Sequence, residues 1–221
     1  MSVFVTGTDT DIGKTRIASA LLRAYAAKGW RAIGMKPVAA GCDAQGRNED
    51  VDALRAASSF TVAREAMCPY LFKPAIAPHI AAAEAGVEID IAIIEAHYQA
   101  LCAQADVVVV EGAGGFIIPL NATQTSADLV QRLDLPVVLV VGMRLGCLNH
   151  ALLTQEAIGS RGLRLAGWVA NRIDPQMSRP EENLAALCER LHAPLLGDIP
   201  YLPSCDAAAA ASLLDLTPLL P

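Results

Sequence analysis

The sequence has no apolar run long enough to cross a bilayer, no C-x-x-C pair and no cluster of lysine or arginine. Its most apolar stretches, residues 107–110 and 137–141, fall far short of the roughly 20 residues that a spanning helix needs. Residues 1–5 lead almost at once into a glycine-rich loop, which leaves no room for a signal peptide. The six scattered cysteines favour neither a zinc site nor a disulfide scaffold. We therefore expect a cytoplasmic protein that does not bind membranes.

Positive charge is also scarce. The chain has 17 Lys+Arg against 23 Asp+Glu, a formal net charge of −6, so we expect no nucleic-acid partner, because binding to phosphates needs a basic surface. With 53% hydrophobic and 18% charged residues, the chain can bury a sizeable core, which excludes intrinsic disorder. Its 221 residues suit one domain, and no repeat or linker divides them. We predict a single domain over residues 1–221.

Short β-branched runs alternate with longer stretches rich in alanine and leucine. The alternation predicts parallel strands joined by crossover helices, and several strands are apolar throughout, as they must be when helices cover both faces of a sheet. The predicted strands are residues 2–6, 31–38, 105–111, 136–142, 165–171 and 194–199, and the predicted helices are residues 15–28, 50–58, 89–104, 126–133, 149–160 and 180–191. The alanine run 207–211 also favours a helix.

The first predicted strand leads into a variant phosphate-binding loop, residues 7–15, which reads GTDTDIGKT. We call this segment the phosphate loop. The usual pattern is G-x-x-x-x-G-K-[ST], but here the first glycine lies one residue earlier and Thr8 takes its place. Backbone N–H groups at a helix start bind phosphate oxygens, Lys14 adds a positive charge, and the Thr15 hydroxyl can bind magnesium. The alternative is a glycine-rich turn that binds nothing.

Two charged residues lie at the ends of other predicted strands. Glu111 comes after four valines, so its carboxylate should emerge at the carboxyl edge of the sheet, where open α/β folds bind ligands. A carboxylate there suits magnesium, although it could instead cap the next segment. Lys36 closes residues 31–38 and could neutralise a transferring phosphoryl group, or could simply extend to solvent. Residues 48–52 gather three further carboxylates, which are commonly solvent-exposed or cap a helix.

Six motifs in order resemble the dethiobiotin synthetase family. They are GTDT-x-x-GKT, KPV at residues 36–38, Pro78-His79, VEGAGG from residue 110, LGCLNH at residues 145–150 and Asn171-Arg172. The resemblance covers residues 2–203 and is far more specific than a phosphate loop alone, which many unrelated NTPases share. It implies a three-layer P-loop NTPase fold, with a mostly parallel sheet and helices on both faces.

The resemblance also implies a reaction. Members of this family are ATP-dependent cyclo-ligases of biotin biosynthesis that convert 7,8-diaminononanoate, CO2 or bicarbonate, and Mg-ATP into dethiobiotin, ADP and phosphate. One amine becomes a carbamate, the γ-phosphoryl group is transferred to it, and the second amine displaces phosphate from the mixed anhydride. A carbamate that meets ATP brings negative charges together, so such a site needs Lys14, Lys36 and a metal ion.

The resemblance assigns roles residue by residue. It makes Lys14 and Lys36 catalytic, places magnesium on Thr15, Asp50 and Glu111, and implies a homodimer in which the substrate carboxylate meets a turn across the two-fold axis. For the nucleotide it implies Asp11, Ile12, Gly13, Lys14, Thr15, Arg16, Asp50, Glu111, Gly112, Ala113, Gly114, Asn171, Arg172, Pro200, Tyr201 and Leu202. For the substrate it implies Thr10, Lys36, Ala40, Gly146, Cys147, Leu148 and Asn149.

Several alternatives stay open. Asp52 could replace Asp50 as the metal ligand, and Ala40 stands where family members often have a serine that helps to hold the substrate. A ribose contact near Asp206 cannot be assigned a register. Chromosome-partitioning and division-site ATPases share the fold, but they resemble K-G-G-x-G-K-T, and this chain has Asp9 where they have the first lysine. A partner-binding module on an inactive NTPase fold is a further alternative.

Overall fold

The computed structural model describes residues 2–201 and 206–220 and contains a six-stranded parallel sheet. The strand order is β2-β5-β1-β6-β7-β8, and every neighbouring pair in this sheet is parallel. The six strands are β1 (Ser2–Gly7), β2 (Ala32–Met35), β5 (Val107–Glu111), β6 (Val137–Met143), β7 (Leu165–Arg172) and β8 (Leu195–Ile199). The predicted mostly parallel α/β sheet is confirmed.

Helices pack on both faces of this sheet, as predicted. Val107 and Val109 belong to one apolar cluster together with α1, whereas Val108 and Val110 belong to another together with α5 and α6. Alternate residues of β5 therefore face opposite sides, which explains its continuous valine run. The helices are α1 (Lys14–Ala27), α2 (Glu49–Ala57), α3 (Arg64–Met67), α4 (Pro78–Glu84), α5 (Ile91–Cys102), α6 (Ser126–Leu133), α7 (Cys147–Ser160), α8 (Pro180–Arg190) and α9 (Ala207–Ala211), with a 3-10 turn at Thr217–Leu219. Within the described ranges, no helix is both long and apolar enough to span a membrane.

The prediction of one continuous strand over residues 31–38 is wrong. β2 ends at Met35, and the chain then enters a separate two-stranded parallel sheet formed by β3 (Val38–Ala40) and β4 (Tyr70–Phe72). Pro37 has no N–H to donate to a ladder, and the N–H of Lys36 bonds instead to the Met67 carbonyl at 2.9 Å. Lys36 thus follows its strand rather than lying within it.

Three short elements between α2 and α5 were not predicted from the sequence. These are α3, β4 and α4, each of which has seven residues or fewer. Pro78 is the first residue of α4, where a missing N–H costs nothing, so His79 lies in the first turn of a helix. Helix α7 begins at Cys147, two residues before the prediction, because Gly146 serves as its N-cap.

Candidate active site

The candidate active site lies at the carboxyl edge of the large sheet. β1 runs into the phosphate loop, Lys36 follows the last residue of β2, and Glu111 is the last residue of β5. The parallel register pairs Met35 with Val110, so Lys36 and Glu111 leave neighbouring strands at the same level. The fold therefore brings together the lysine and the carboxylate that the sequence analysis selected.

The phosphate loop turns sharply before α1. Asp11 and Gly13 have positive φ angles of 56° and 85°, and Gly13 is the N-cap of the helix. A Cβ atom at Gly13 would lie 2.3 Å from Nδ2 of Asn171, so this position has no room for a side chain. Ile12 is buried beneath the loop at 1% exposure. Because the first N–H groups of a helix have no partners within it, this turn can bind an anion.

Lys14 is buried and forms a hydrogen bond with the backbone of the phosphate loop. Only 6% of it is exposed, and its Nζ donates a hydrogen bond to the backbone oxygen of Asp9 at 2.7 Å. Burial lowers the pKa of Lys14, and the charge of Lys36 lowers it further, against partial opposition from Glu111 and Asp50. An ammonium has three N–H groups, so the bond to Asp9 leaves two of them for a bound anion.

Lys36, Asp50, Glu111 and Thr15 form one polar cluster. Lys36 Nζ donates to Glu111 Oε1 at 2.6 Å and to Asp50 Oδ2 at 2.8 Å. Thr15 Oγ1 lies 2.7 Å from Asp50 Oδ1 and 2.8 Å from Glu111 Oε1, although its single proton can serve only one carboxylate at a time. Asp52 is exposed and outside these contacts. The sequence left Asp50 and Asp52 as alternative metal ligands, and in the structure Asp50, not Asp52, belongs to the cluster.

Burial and charge act in opposite directions on these groups. Burial alone lowers the pKa of Lys36, but Glu111 and Asp50 outweigh it, so this pKa lies above its ordinary value. Burial raises the pKa of Asp50, but Lys36 outweighs it and the pKa falls below its ordinary value. For the more deeply buried Glu111, burial prevails over the attraction of Lys36, so its pKa is raised. The cluster thus keeps Lys36 charged and gives Glu111 the more easily protonated carboxylate.

The oxygens of this cluster suit a magnesium ion. Oε2 of Glu111 is buried without a hydrogen-bond partner among the described residues, so the carboxylate still has an acceptor to use. Magnesium takes oxygen ligands, is usually held by one or two carboxylates and keeps several waters. In the part of the chain that the structure describes, no group of three or more His, Cys, Asp or Glu forms a metal cluster. Two carboxylates and the Thr15 hydroxyl therefore fit a nucleotide-associated ion better than a dedicated metal cage.

The segment after β5 packs closely against β1. The N–H of Gly112 donates to the Val5 carbonyl at 3.0 Å, and a Cβ atom at Gly112 would lie 2.8 Å from the Phe4 ring. Gly114 has a φ of 61°, and a Cβ there would be 3.6 Å from Thr10 Oγ1. Glycine is thus required for this approach, which places Gly112, Ala113 and Gly114 alongside the phosphate loop. An apolar cavity next to Glu111 continues under this segment, lined by Phe4, Pro37, Val38, Ile118, Leu120 and Leu129.

Asn171 and Arg172 end β7 and contact different parts of the molecule. Asn171 is fully buried, and its Nδ2 donates to the Ile12 carbonyl at 2.6 Å, while its Oδ1 has no hydrogen-bond partner among the described residues. The Arg172 guanidinium bonds both oxygens of Asp198, at 2.9 and 2.6 Å, and Glu181 at 2.7 Å. These hydrogen bonds to carboxylates raise the pKa of Arg172. Asn171 therefore borders the phosphate loop, whereas Arg172 ties β7 to β8 and α8.

The remaining predicted residues lie around this edge. Pro200 and Tyr201 are exposed after β8, and Leu202 is outside the described residues. Arg16 is half-buried in the first turn of α1, and Thr10 is exposed on the phosphate loop. Ala40 ends β3, and its carbonyl accepts from Asn48 Nδ2 at 3.3 Å.

The turn before α7 contains both buried and exposed residues. Gly146 has a φ of 95°, Cys147 is 1% exposed, Leu148 is half-buried and Asn149 is exposed. Leu145, next to the turn, is 93% exposed. Cys147 therefore packs as a small apolar residue, while the backbone around Gly146 is open to solvent.

Two residues at this edge were not among the predicted site residues. Asn48 is the buried N-cap of α2, with its Oδ1 accepting from the Val51 N–H at 3.2 Å, so it holds the helix that carries Asp50. Asparagine before an acidic helix start is a capping signal that could have identified it. Arg144 forms an ion pair with Asp9 across 135 positions of sequence. No local pattern reveals a partnership of that range.

Comparisons with known proteins identify the family. The family described as AAA domain matches residues 1–209. An ATP-dependent dethiobiotin synthetase of Aromatoleum aromaticum is 57% identical over 96% of this chain and 96% of its own length. One from Nitrosospira multiformis is 56% identical over 96% of this chain and 94% of its own. The chain belongs to the ATP-dependent dethiobiotin synthetase family. The predicted family is therefore confirmed.

Solved structures agree on the fold of this dethiobiotin synthetase family member. The MinC:MinD cell division protein complex of Aquifex aeolicus contains a chain that superposes with a TM-score of 0.58, at 14% identity, covering 95% of this chain and 86% of that one. At that identity the likeness concerns the fold alone. The predicted P-loop NTPase architecture is confirmed, whereas the roles of individual residues remain predictions.

Proposed function

We propose that this chain catalyses the ATP-dependent closure of 7,8-diaminononanoate with CO2 to dethiobiotin, releasing ADP and phosphate. Its similarity to dethiobiotin synthetases over nearly its whole length supports the reaction. The observation that carries the proposal is the convergence of Lys14, Lys36 and the Asp50–Glu111 carboxylate pair at one sheet edge. No side chain in this cluster is placed as a nucleophile, which suits a reaction that works by positioning and charge neutralisation.

The charges of the cluster explain which ligands it needs. Counted together with the neighbouring Lys14, the cluster has two ammonium groups, Lys14 and Lys36, against two carboxylates, Asp50 and Glu111, so its formal charges balance. A triphosphate and a carbamate add several negative charges, so a divalent cation is needed for balance. Thr15, Asp50 and Glu111 would hold magnesium, which when bound supplies positive charge to the phosphate oxygens.

Lys36 is proposed to stabilise the reacting centre. One substrate amine takes up CO2 and loses a proton to become a carbamate, whose oxygen then attacks the γ-phosphorus while ADP leaves. Lys36 Nζ donates to Glu111 and Asp50 and makes a longer third contact with the Gly112 carbonyl at 3.4 Å. This third N–H would turn from Gly112 to the oxygen shared between carbamate and phosphate. The second amine then attacks the carbonyl carbon, phosphate leaves, and loss of a proton completes the ureido ring.

Lys14 and the phosphate loop are proposed to hold the triphosphate. Lys14 keeps one N–H on Asp9 and offers the others to phosphate oxygens, alongside the N–H groups of Asp11, Ile12, Gly13, Thr15 and Arg16. Gly112, Ala113 and Gly114 would form the opposite wall of the site. Thr10 and Ala40 would border the substrate.

The adenine and the substrate carboxylate are proposed to lie at opposite ends of the site. Asn171 Oδ1 is buried and has no hydrogen-bond partner in the described part of the chain, so it could accept from the adenine amino group, near Arg172, Pro200 and Tyr201. Leu202, which the family resemblance also assigns to the nucleotide, is outside the described residues. The turn of Gly146, Cys147, Leu148 and Asn149 would receive the carboxylate from the partner's site in a homodimer, because a helix N-terminus favours an anion. We further propose that the enzyme works in the cytoplasm.

The proposal is tested by measuring phosphate release from Mg-ATP with each substrate omitted in turn. We expect release to require 7,8-diaminononanoate and bicarbonate together and to fall to background when either is absent. Release that ignores both substrates but responds to a protein, DNA or membrane partner would instead favour a nucleotide-switch ATPase.

A further inference from the structure

Asp9 accepts hydrogen bonds from two residues of the phosphate loop and from Arg144 outside it. Its backbone oxygen accepts from Lys14 Nζ at 2.7 Å, its Oδ1 accepts from the Thr10 N–H at 2.8 Å, and its Oδ2 accepts from Arg144 Nη2. Asp9 therefore holds the phosphate-loop lysine directly, and its carboxylate sits within the loop. Every oxygen of this residue is engaged.

The Asp9 carboxylate is an unusual group for a phosphate loop. A negative charge in a loop that receives phosphates repels them, although solvent weakens this repulsion because 46% of the Asp9 side chain is exposed. Arg144 supplies the opposite charge from the segment between β6 and α7. Strand β1 precedes the phosphate loop and β6 precedes Arg144, and the two strands are hydrogen-bonded neighbours with Gly7 opposite Val140. This pairing brings the Asp9 and Arg144 side chains together.

Strand β6 is also joined to the phosphate loop by two hydrogen bonds that involve Thr8. The N–H of Thr8 donates to the Val140 carbonyl at 3.0 Å, and the N–H of Gly142 donates to Thr8 Oγ1 at 3.3 Å. The loop thus has other anchors to β6 besides the ion pair. A variant that loses the Asp9–Arg144 contact should therefore keep the local fold, and its effect on nucleotide binding can be measured.

We propose that Arg144 is a positioning residue for the nucleotide: it neutralises and orients Asp9, so that the phosphate loop can accept polyphosphate while Asp9 holds Lys14. The inference rests on the proposed function, because it assumes that a nucleotide occupies this loop. It relates Arg144 to nucleotide binding, although Arg144 lies close in sequence to the Gly146–Asn149 turn, which is proposed to receive the substrate carboxylate.

The proposal predicts an asymmetry between the two partners. Arg144→Gln leaves the Asp9 carboxylate uncompensated, so we expect affinity for Mg-ADP to fall about tenfold. Asp9→Asn removes the repelling charge and keeps an Oδ1 acceptor for Thr10, so its affinity should stay within about threefold of the wild-type value. The double variant should recover most of the loss, and Arg144→Lys, which keeps a cation, should bind nearly as well as wild type.

The experiment is calorimetric titration of the full-length wild type and these variants with Mg-ADP, at low and at 0.5 M salt, with a thermal melt of each. Salt should shrink the Arg144→Gln defect, because screening weakens the uncompensated charge. Arg132→Gln is the matched control, since it breaks an exposed ion pair with Glu95 on α5.

The possible outcomes separate the inference from the proposed function. Wild-type affinity in Arg144→Gln, or equal losses in both single variants without rescue in the double variant, would overturn the role of Arg144. If the wild type itself fails to bind Mg-ADP, the proposed function fails first. An Arg144→Gln defect rescued by Asp9→Asn, with Arg132→Gln unaffected, supports the proposal.

Discussion

The ammonium of Lys36 lies 2.6 Å from the carboxylate of Glu111, at the ends of two neighbouring parallel strands. Both side chains are almost fully buried, at 3% and 1% exposure. Breaking a buried pair by removing one partner leaves an uncompensated charge, which is strongly unfavourable. The pair therefore fixes the position of Lys36 and at the same time makes the site sensitive to any change in either residue.

Lys36→Ala is expected to reduce turnover at least about 100-fold, because it removes an electrostatic contact made to the reacting centre. The measurement is the initial rate of dethiobiotin formation at saturating substrates. The control is Lys28→Ala, since Lys28 is exposed at the far end of α1 and should leave the rate unchanged. A near-normal rate in Lys36→Ala would remove Lys36 from the mechanism.

Glu111→Gln is expected to raise the magnesium concentration needed for half-maximal rate about tenfold or more, because an amide is a poorer magnesium ligand than a carboxylate. The measurement is a magnesium titration of the rate at fixed ATP. Glu95→Gln, which alters a half-buried carboxylate on α5 that pairs with Arg132 and not with Lys36, should titrate like the wild type. If Glu111→Gln also did so, with an unchanged thermal melt, Glu111 would not belong to the metal site.

Gly13→Ala is expected to destabilise the fold and abolish nucleotide binding. The position has a φ of 85°, and the new Cβ would meet Asn171 Nδ2 at 2.3 Å. Gly29→Ala is a matched control, because Gly29 has a φ of 86° but nothing within 4 Å of its Cβ position. Backbone strain alone should cost Gly29→Ala roughly 1–2 kcal/mol in urea unfolding. Equal losses in the two variants would show that the contact with Asn171 is unimportant.

Cys68 is expected to resist alkylation at pH 8. Burial raises the pKa of this thiol from its ordinary value to about 12, against partial opposition from Lys36 and Arg64. A raised pKa means that less of the reactive thiolate exists at a given pH, and the fraction grows only as the pH approaches the new value. Mass spectrometry after iodoacetamide treatment should find the exposed Cys188 modified first. Rapid labelling of Cys68 in the folded protein would contradict its burial.

Much of the fold could be predicted because its signals are local. The valine run of β5 requires burial on both sides, and Gly13-Lys14-Thr15 marks the start of a helix after a strand. Glu111 and Lys36 could be selected because each is a charged residue at the carboxyl end of a largely apolar predicted strand. Their proximity then follows from the parallel order of the sheet.

The remainder depends on contacts between distant residues. The end of β2 at Met35 reflects a hydrogen bond from Lys36 to Met67, and β3 exists only because β4 pairs with it. Single strands of three residues carry little pattern of their own. The partnership of Arg144 with Asp9 likewise depends on the neighbouring positions of β1 and β6 in the sheet, which local spacing does not reveal.

The most direct test of the account is to supply ATP, 7,8-diaminononanoate and 13C-labelled bicarbonate and to measure product and ADP together by mass spectrometry. The account predicts dethiobiotin carrying one 13C atom in its ureido carbonyl and one ADP for each molecule formed, with both lost in Lys36→Ala. Formation of ADP at the same rate without labelled dethiobiotin would contradict it.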